Sequence, residues 1–100
     1  MIKTEGGHFW LKFDNGYTLS CFNGFGSYTE NHFNYEKFRK ICSKDSDFLD
    51  NSWESETIEI AILYDGQLVT QDILKCDDEV KSVDLNELVK IINIVSKLRG

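Results

Sequence analysis

Phe9-Trp10-Leu11-Lys12-Phe13-Asp14-Asn15-Gly16-Tyr17-Thr18-Leu19-Ser20-Cys21-Phe22 reads as a β-hairpin. Phe9, Leu11 and Phe13 alternate with Trp10 and Lys12, the two-residue period of a strand with one buried face. Asn15 and Gly16 both tolerate positive φ and predict a type I′ turn. On the return strand Tyr17, Leu19 and Cys21 share the core face, and Thr18, Ser20 and Phe22 share the other. The predicted hairpin spans 8–22.

A second hairpin is expected over 57–74. Ile58, Ile60, Ile62 and Tyr64 alternate with Glu59, Ala61 and Leu63, and the β-branched residues favour a pleated strand. Asp65-Gly66 supplies a two-residue turn, after which Gln67 to Leu74 pairs back. Between the hairpins, 23–34 carries no period and reads as loop. Tyr35, Phe38, Ile41 and Cys42 then recur at helical spacing among Glu36, Lys37, Arg39 and Lys40, which predicts a short helix over 34–43. Residues 44–55 read as an acidic loop.

The clearest helix is the last, over 84–98. Asp84 caps it and Glu87 is placed to reach back as a capping box. Leu85, Leu88, Ile91, Ile92, Val95 and Leu98 form its apolar stripe, and Lys97 and Arg99 fall where cations suit the helix dipole. The expected fold is α+β, one domain over 1–100. Its four-stranded antiparallel sheet comes from the two hairpins, and the C-terminal helix packs on it. Trp10 and Phe22 then lie on the other sheet face, open unless the 34–43 helix covers them.

One hundred residues with 41% hydrophobic and 13% aromatic content suffice for a single core without metal or disulfide. No apolar run approaches the roughly 18 residues of a membrane span. Met1-Ile2-Lys3-Thr4-Glu5-Gly6-Gly7 lacks the apolar region of a secretory signal, so a cytoplasmic location is expected. Cys21, Cys42 and Cys76 are odd in number and form no CxxC, which argues against a disulfide framework or a zinc knuckle. Net charge is −6, with Arg39 and Arg99 the only arginines beside nine lysines. That balance disfavours direct nucleic-acid binding and favours a partner with a basic surface. A single Ala, no Pro and abundant Ile, Lys, Asn, Phe and Tyr are the residue types of A/T-rich codons, pointing to a genome low in G+C.

Signals for catalysis are sparse. A thiol nucleophile needs a base, and Cys21 or Cys42 with His32 is the available pairing, but no local signature supports it. His8 stands at the start of the first strand. Asp45-Ser46-Asp47 opens like a calcium loop, yet no glycine or ordered ligand series follows. No cofactor is expected. The loop Asn23-Gly24-Phe25-Gly26-Ser27-Tyr28-Thr29-Glu30-Asn31 misses the phosphate-binding GxGxxG pattern, because Thr29 stands at its last position. Either its aromatics tuck over the sheet end or they form a protein contact, as aromatics among small polar residues do. Trp53 has the same two readings, as a core cap or as an exposed anchor.

Phe13-Asp14-Asn15-Gly16-Tyr17-Thr18-Leu19-Ser20, the 23–31 loop, Trp53-Glu54-Ser55-Glu56-Thr57-Ile58-Glu59-Ile60-Ala61-Ile62 and the capped terminal helix together resemble a family of short phage-encoded proteins of unassigned role. The resemblance covers about two-thirds of the chain and thins between 33 and 51. Thr29 stands where that pattern carries Cys. The resemblance implies a non-enzymatic protein that binds and inhibits a host bacterial protein, such as a defence effector in the manner of an anti-CRISPR, in the host cytoplasm. The binding edge expected here is Phe25, Tyr28, Asn31, Trp53 and Glu54, with acidic support from Asp45, Asp47, Asp50 and Glu56. Rival readings are a small-ligand or signalling-nucleotide binder using the same loop, and a small hydrolase. A monomer and a homodimer are both compatible with the sequence.

Overall fold

A computed structural model describes residues 1–24, 26–42 and 52–99. The fold is α+β, with antiparallel sheets and a C-terminal helix. Two sheets replace the single four-stranded sheet expected, one of two strands and one of five.

The five-stranded sheet grows from the predicted hairpin, β2 (His8–Lys12) and β3 (Tyr17–Phe22). Strand β3 pairs with β5 (Thr57–Tyr64), bringing Leu19 opposite Ile62 and Cys21 opposite Ile60. The outer edge of β5 is shared. At one end it pairs with β6 (Gln67–Leu68), and at the other with β7 (Lys81–Asp84). Between them the chain leaves the sheet as a short helix, α2 (Thr70–Leu74). The expected second hairpin over 57–74 therefore stops at Leu68. The Ile62 carbonyl accepts from Val69 N at 2.8 Å, and the Ile62 N–H donates to Thr70 Oγ1 at 2.8 Å. A side-chain hydroxyl thus satisfies the buried main chain where the strand ends.

The two turns differ. Asp65 and Gly66 both have positive φ, as a two-residue turn of the expected kind requires. In the first hairpin only Gly16 does, at φ +92°. Gly16 N donates to the Phe13 carbonyl at 3.2 Å and Phe13 N to the Tyr17 carbonyl at 2.9 Å. This is a type I turn followed by a glycine bulge, not the predicted type I′ turn. The reason lies across the molecule, where Asn15 caps another helix.

That helix is α3 (Leu85–Ser96). Asp84 caps it as predicted, accepting from Glu87 N at 2.8 Å. The Glu87 carboxylate, expected to complete a capping box, instead accepts from Lys81 Nζ at 2.9 Å, and this bond raises the lysine pKa above its ordinary value. The helix ends two residues early, at Ser96, so Lys97 is its C-cap and Arg99 lies beyond it. Asn15 Nδ2 donates to the Val95 and Leu98 carbonyls, both at 2.8 Å, while its Oδ1 accepts from Tyr17 N. One side chain shapes the turn and satisfies the helix terminus.

Leu88, Ile91 and Val95 of α3 pack with Leu19, Cys21, Ile58, Ile60, Ile62 and Val83 into one buried cluster. Burying each large aliphatic side chain contributes about 1.5–3 kcal/mol. Leu85 stays exposed and Ile92 half-buried, so the stripe that packs is narrower than the sequence pattern suggests. The middle helix, α1 (Tyr35–Cys42), forms close to its predicted place, and Tyr35 and Phe38 are exposed. It leaves Trp10 55% exposed on the other sheet face.

The two-stranded sheet was not expected. Strand β1 (Ile2–Glu5) pairs with β4 (Ser52–Ser55), inside the stretch read as acidic loop, with Thr4 opposite Trp53. Gly6 and Gly7 then turn the chain into β2, both with φ of +81°. A Cβ on Gly7 would lie 2.9 Å from the Asn23 carbonyl, so only glycine fits. Among the described residues no helix is long and apolar enough to cross a membrane.

Candidate protein-contact rim

Where β3 ends, the chain enters the loop that the sequence singled out, and its first side chain turns inward. Asn23 is completely buried. Its main-chain N–H donates to the Gly7 carbonyl at 2.7 Å, and its Nδ2 to the Trp53 carbonyl at 3.2 Å. Its Oδ1 accepts from Thr29 Oγ1 at 3.1 Å and from Asn31 Nδ2 at 3.0 Å. Asn31 Nδ2 also donates to the Glu54 carbonyl at 3.0 Å, and Asn31 Oδ1 accepts from Asn34 Nδ2 at 3.0 Å. Ser27 Oγ donates to the Gly24 carbonyl at 2.6 Å and accepts from Gly24 N. These bonds tie the loop to β1 and β4. Among the described residues no buried side-chain nitrogen or oxygen lacks a partner. A low-dielectric network satisfied in this way is rigid.

That network decides which predicted residues reach the surface. Asn31 is 6% exposed and Trp53 5%, so both belong to the interior that supports the loop. The Trp53 ring closes over Gly7 and Gly24, in the role of a core cap. Tyr28 is 53% exposed, and Glu54 and Glu56 are exposed as well. Phe25, Asp45, Asp47 and Asp50 lie outside the described residues.

Further surface groups stand beside Tyr28 that the sequence pattern did not reveal. Tyr28 and His32 stack with ring centroids 5.9 Å apart, and His32 meets Phe33 edge-on at 4.3 Å. Phe33, 69% exposed, lies 6.2 Å from the Tyr35 ring. His32 Nδ1 is 2.8 Å from the Ser27 carbonyl, which fixes its ring. The acidic groups are anchored too. The Glu30 carboxylate accepts from Glu56 N at 2.9 Å and from Thr57 Oγ1 at 3.1 Å. Glu59 accepts from Tyr28 N at 3.3 Å. Glu59 was findable, since alternation along β5 places it opposite the isoleucines. Phe33 belongs to no period, and although Tyr35 was read in the helical period of α1, only the fold brings the two rings together.

Of the catalytic candidates, the Cys42 side chain lies outside what is described, and Cys21 and His32 are held in different surroundings. Cys21 is in the core, where burial pushes its thiol up to about 12. A thiol held neutral in this way is a poor nucleophile. His32 is engaged with the loop main chain. His8 Nε2 lies 2.8 Å from Ser20 Oγ on the open sheet face. Sheet N–H groups lie in the ladder plane, so none there points at an oxyanion above the hydroxyl. Among the described residues no three His, Cys, Asp or Glu side chains gather as a metal site.

No protein-family model, curated protein or solved structure matches this chain.

Proposed function

We propose that this chain is a non-enzymatic interaction protein of phage type, which binds and inhibits a host bacterial protein through an acidic, aromatic-bearing rim. The partner presents a basic surface, and a CRISPR-type defence nuclease fits that chemistry. The observation that carries the reading is the rim itself. Tyr28 stands exposed and its N–H donates to Glu59, Glu30 is held to the main chain of Glu56, and the loop's buried Asn23, Ser27 and Asn31 side chains are engaged in internal hydrogen bonds. A preorganised loop loses little entropy on docking, and its exposed rings are of the type that anchors interfaces. A net charge of −6 steers the chain toward a basic partner. The internal bonding of Asn23, Ser27, Thr29 and Asn31 leaves their side chains less available to a small ligand, which weighs against a small-ligand site built on them.

Expression in a bacterial host armed with a CRISPR nuclease should restore plaquing by a targeted phage. Tyr28→Ala and the pair Glu54→Lys/Glu56→Lys should each abolish that protection at unchanged melting temperature. Binding to the purified nuclease should weaken steeply with added salt. Full protection by the charge-reversed variant would overturn the proposal.

A further inference from the structure

The main sheet ends at β2, and among the described residues no strand pairs with its outer side. The register shows which groups are left there. Asn23 N donates to the Gly7 carbonyl, and Phe13 N to the Tyr17 carbonyl. Odd-numbered residues of β2 therefore aim their main-chain groups at β3, and the N–H and C=O groups of His8, Trp10 and Lys12 point outward. An edge of this kind is a template for another strand.

The strand His8-Phe9-Trp10-Leu11-Lys12 is palindromic in chemistry: polar, apolar, tryptophan, apolar, polar. We infer that the second strand is β2 of another copy, paired antiparallel about a two-fold axis at Trp10. In this register Trp10 meets its own mate, His8 lies opposite Lys12 of the second copy, and Phe9 opposite Leu11. The outward N–H and C=O groups of His8, Trp10 and Lys12 then all pair across the axis. Two further features fit a second copy. Phe9, Leu11 and Phe13 are only half-buried against the core, so the row gains cover when it is continued by its mate. No acidic residue occurs from Gly6 to Phe13, so two chains of net charge −6 can meet along β2 without opposing carboxylates in the paired segment. Pairing through five residues a side buries less than the roughly 1,200 Å² of a stable interface, so the dimer is weak and concentration-dependent.

Sedimentation velocity from about 10 μM to about 1 mM should show a monomer giving way to a dimer. Over the same range, amide hydrogen exchange at His8, Trp10 and Lys12 should slow, while Phe9 and Leu11 stay protected throughout. Trp10→Pro removes an N–H that no strand among the described residues uses, so it should fold and stay monomeric. Trp10→Lys, which places like charges on the axis, should also stay monomeric, and it stands in if the proline variant fails to fold. A monomer at every concentration leaves the edge to water or to a foreign strand and overturns the inference. So does a dimer that survives the lysine substitution, or protection that rises elsewhere but not at these amides.

Discussion

The five-stranded sheet with α3 and the two-stranded sheet with its loop are held together in opposite ways. In the first, the buried cluster of Leu19, Cys21, Ile58, Ile60, Ile62, Val83, Leu88, Ile91 and Val95 is apolar throughout. In the second, Ile2 reaches into that cluster, but the other buried side chains besides Trp53 are polar: Thr4, Asn23, Ser27, Asn31 and Ser55. Apolar burial is non-directional and tolerates repacking, whereas a buried hydrogen-bond network fails where a single partner is lost. The first region is therefore the stability reserve, and the second is the part that fixes the rim's shape.

The sharpest break of this contrast is a charge in the apolar half. Val95→Asp puts an unpaired carboxylate into this apolar cluster, and should cost more than about 4 kcal/mol. Circular dichroism should show no cooperative melt. Alkali attacks the same core more gently. The folded thiol of Cys21 is raised to about 12 from an ordinary value of 9.0, so the folded state resists ionisation that the unfolded state accepts. The stabilisation is fully present below about pH 9 and is lost as pH rises toward 12. Urea midpoints should fall across that window, and fall less in Cys21→Ala, which has no thiol to ionise.

In the polar half, Asn23→Ala removes one donor from the Trp53 carbonyl and the acceptor that Thr29 Oγ1 and Asn31 Nδ2 share. It should cost about 2–4 kcal/mol. The loss should appear first as local opening. In a Trp10→Phe background Trp53 emission should shift to the red, and amides of β1 and β4 should exchange before those of β3 and β5. If both regions instead open in one step, they form a single cooperative unit and the contrast fails.

The same contrast explains what could be read from residue order. Ile58, Ile60 and Ile62 announce a strand because burial repeats every second residue, and Asp84 announces a helix start because a cap acts within three residues. Thr4, Asn23 and Asn31 are polar residues buried by partners distant in the chain, and no local pattern marks them. Strand β4 hides for that reason, since Ser52-Trp53-Glu54-Ser55 has one apolar side chain and its pairing with Thr4 is not local. Thr70 misleads differently. Val69 to Leu74 suits a strand, but the Thr70 hydroxyl satisfies Ile62 from the start of a helix. Of the candidate rim, Tyr28, Glu54 and Glu56 were legible as surface groups. Asn31 and Trp53 turned inward because the network needed them, and Phe33 met the Tyr35 ring at the start of α1 only through the loop's path.

Asn15 links the apolar half to itself across 80 residues, and it gives the mildest test. Its amide supplies the last carbonyls of α3, an apolar helix whose C-terminal end has no local glycine to satisfy it. Asn15→Ala should cost about 1–2 kcal/mol and fray the final turn, with faster exchange at Leu98 and little change at Leu88. Asn15→Asp keeps the acceptor for Tyr17 N but removes both donors and brings a negative charge to the negative end of the helix dipole. It should therefore be worse than alanine at pH 7 and approach it when the carboxylate is protonated. Equal stability of the aspartate variant and wild type at pH 7 would mean that solvent caps α3 as well as Asn15 does, leaving apolar packing alone to hold the helix end.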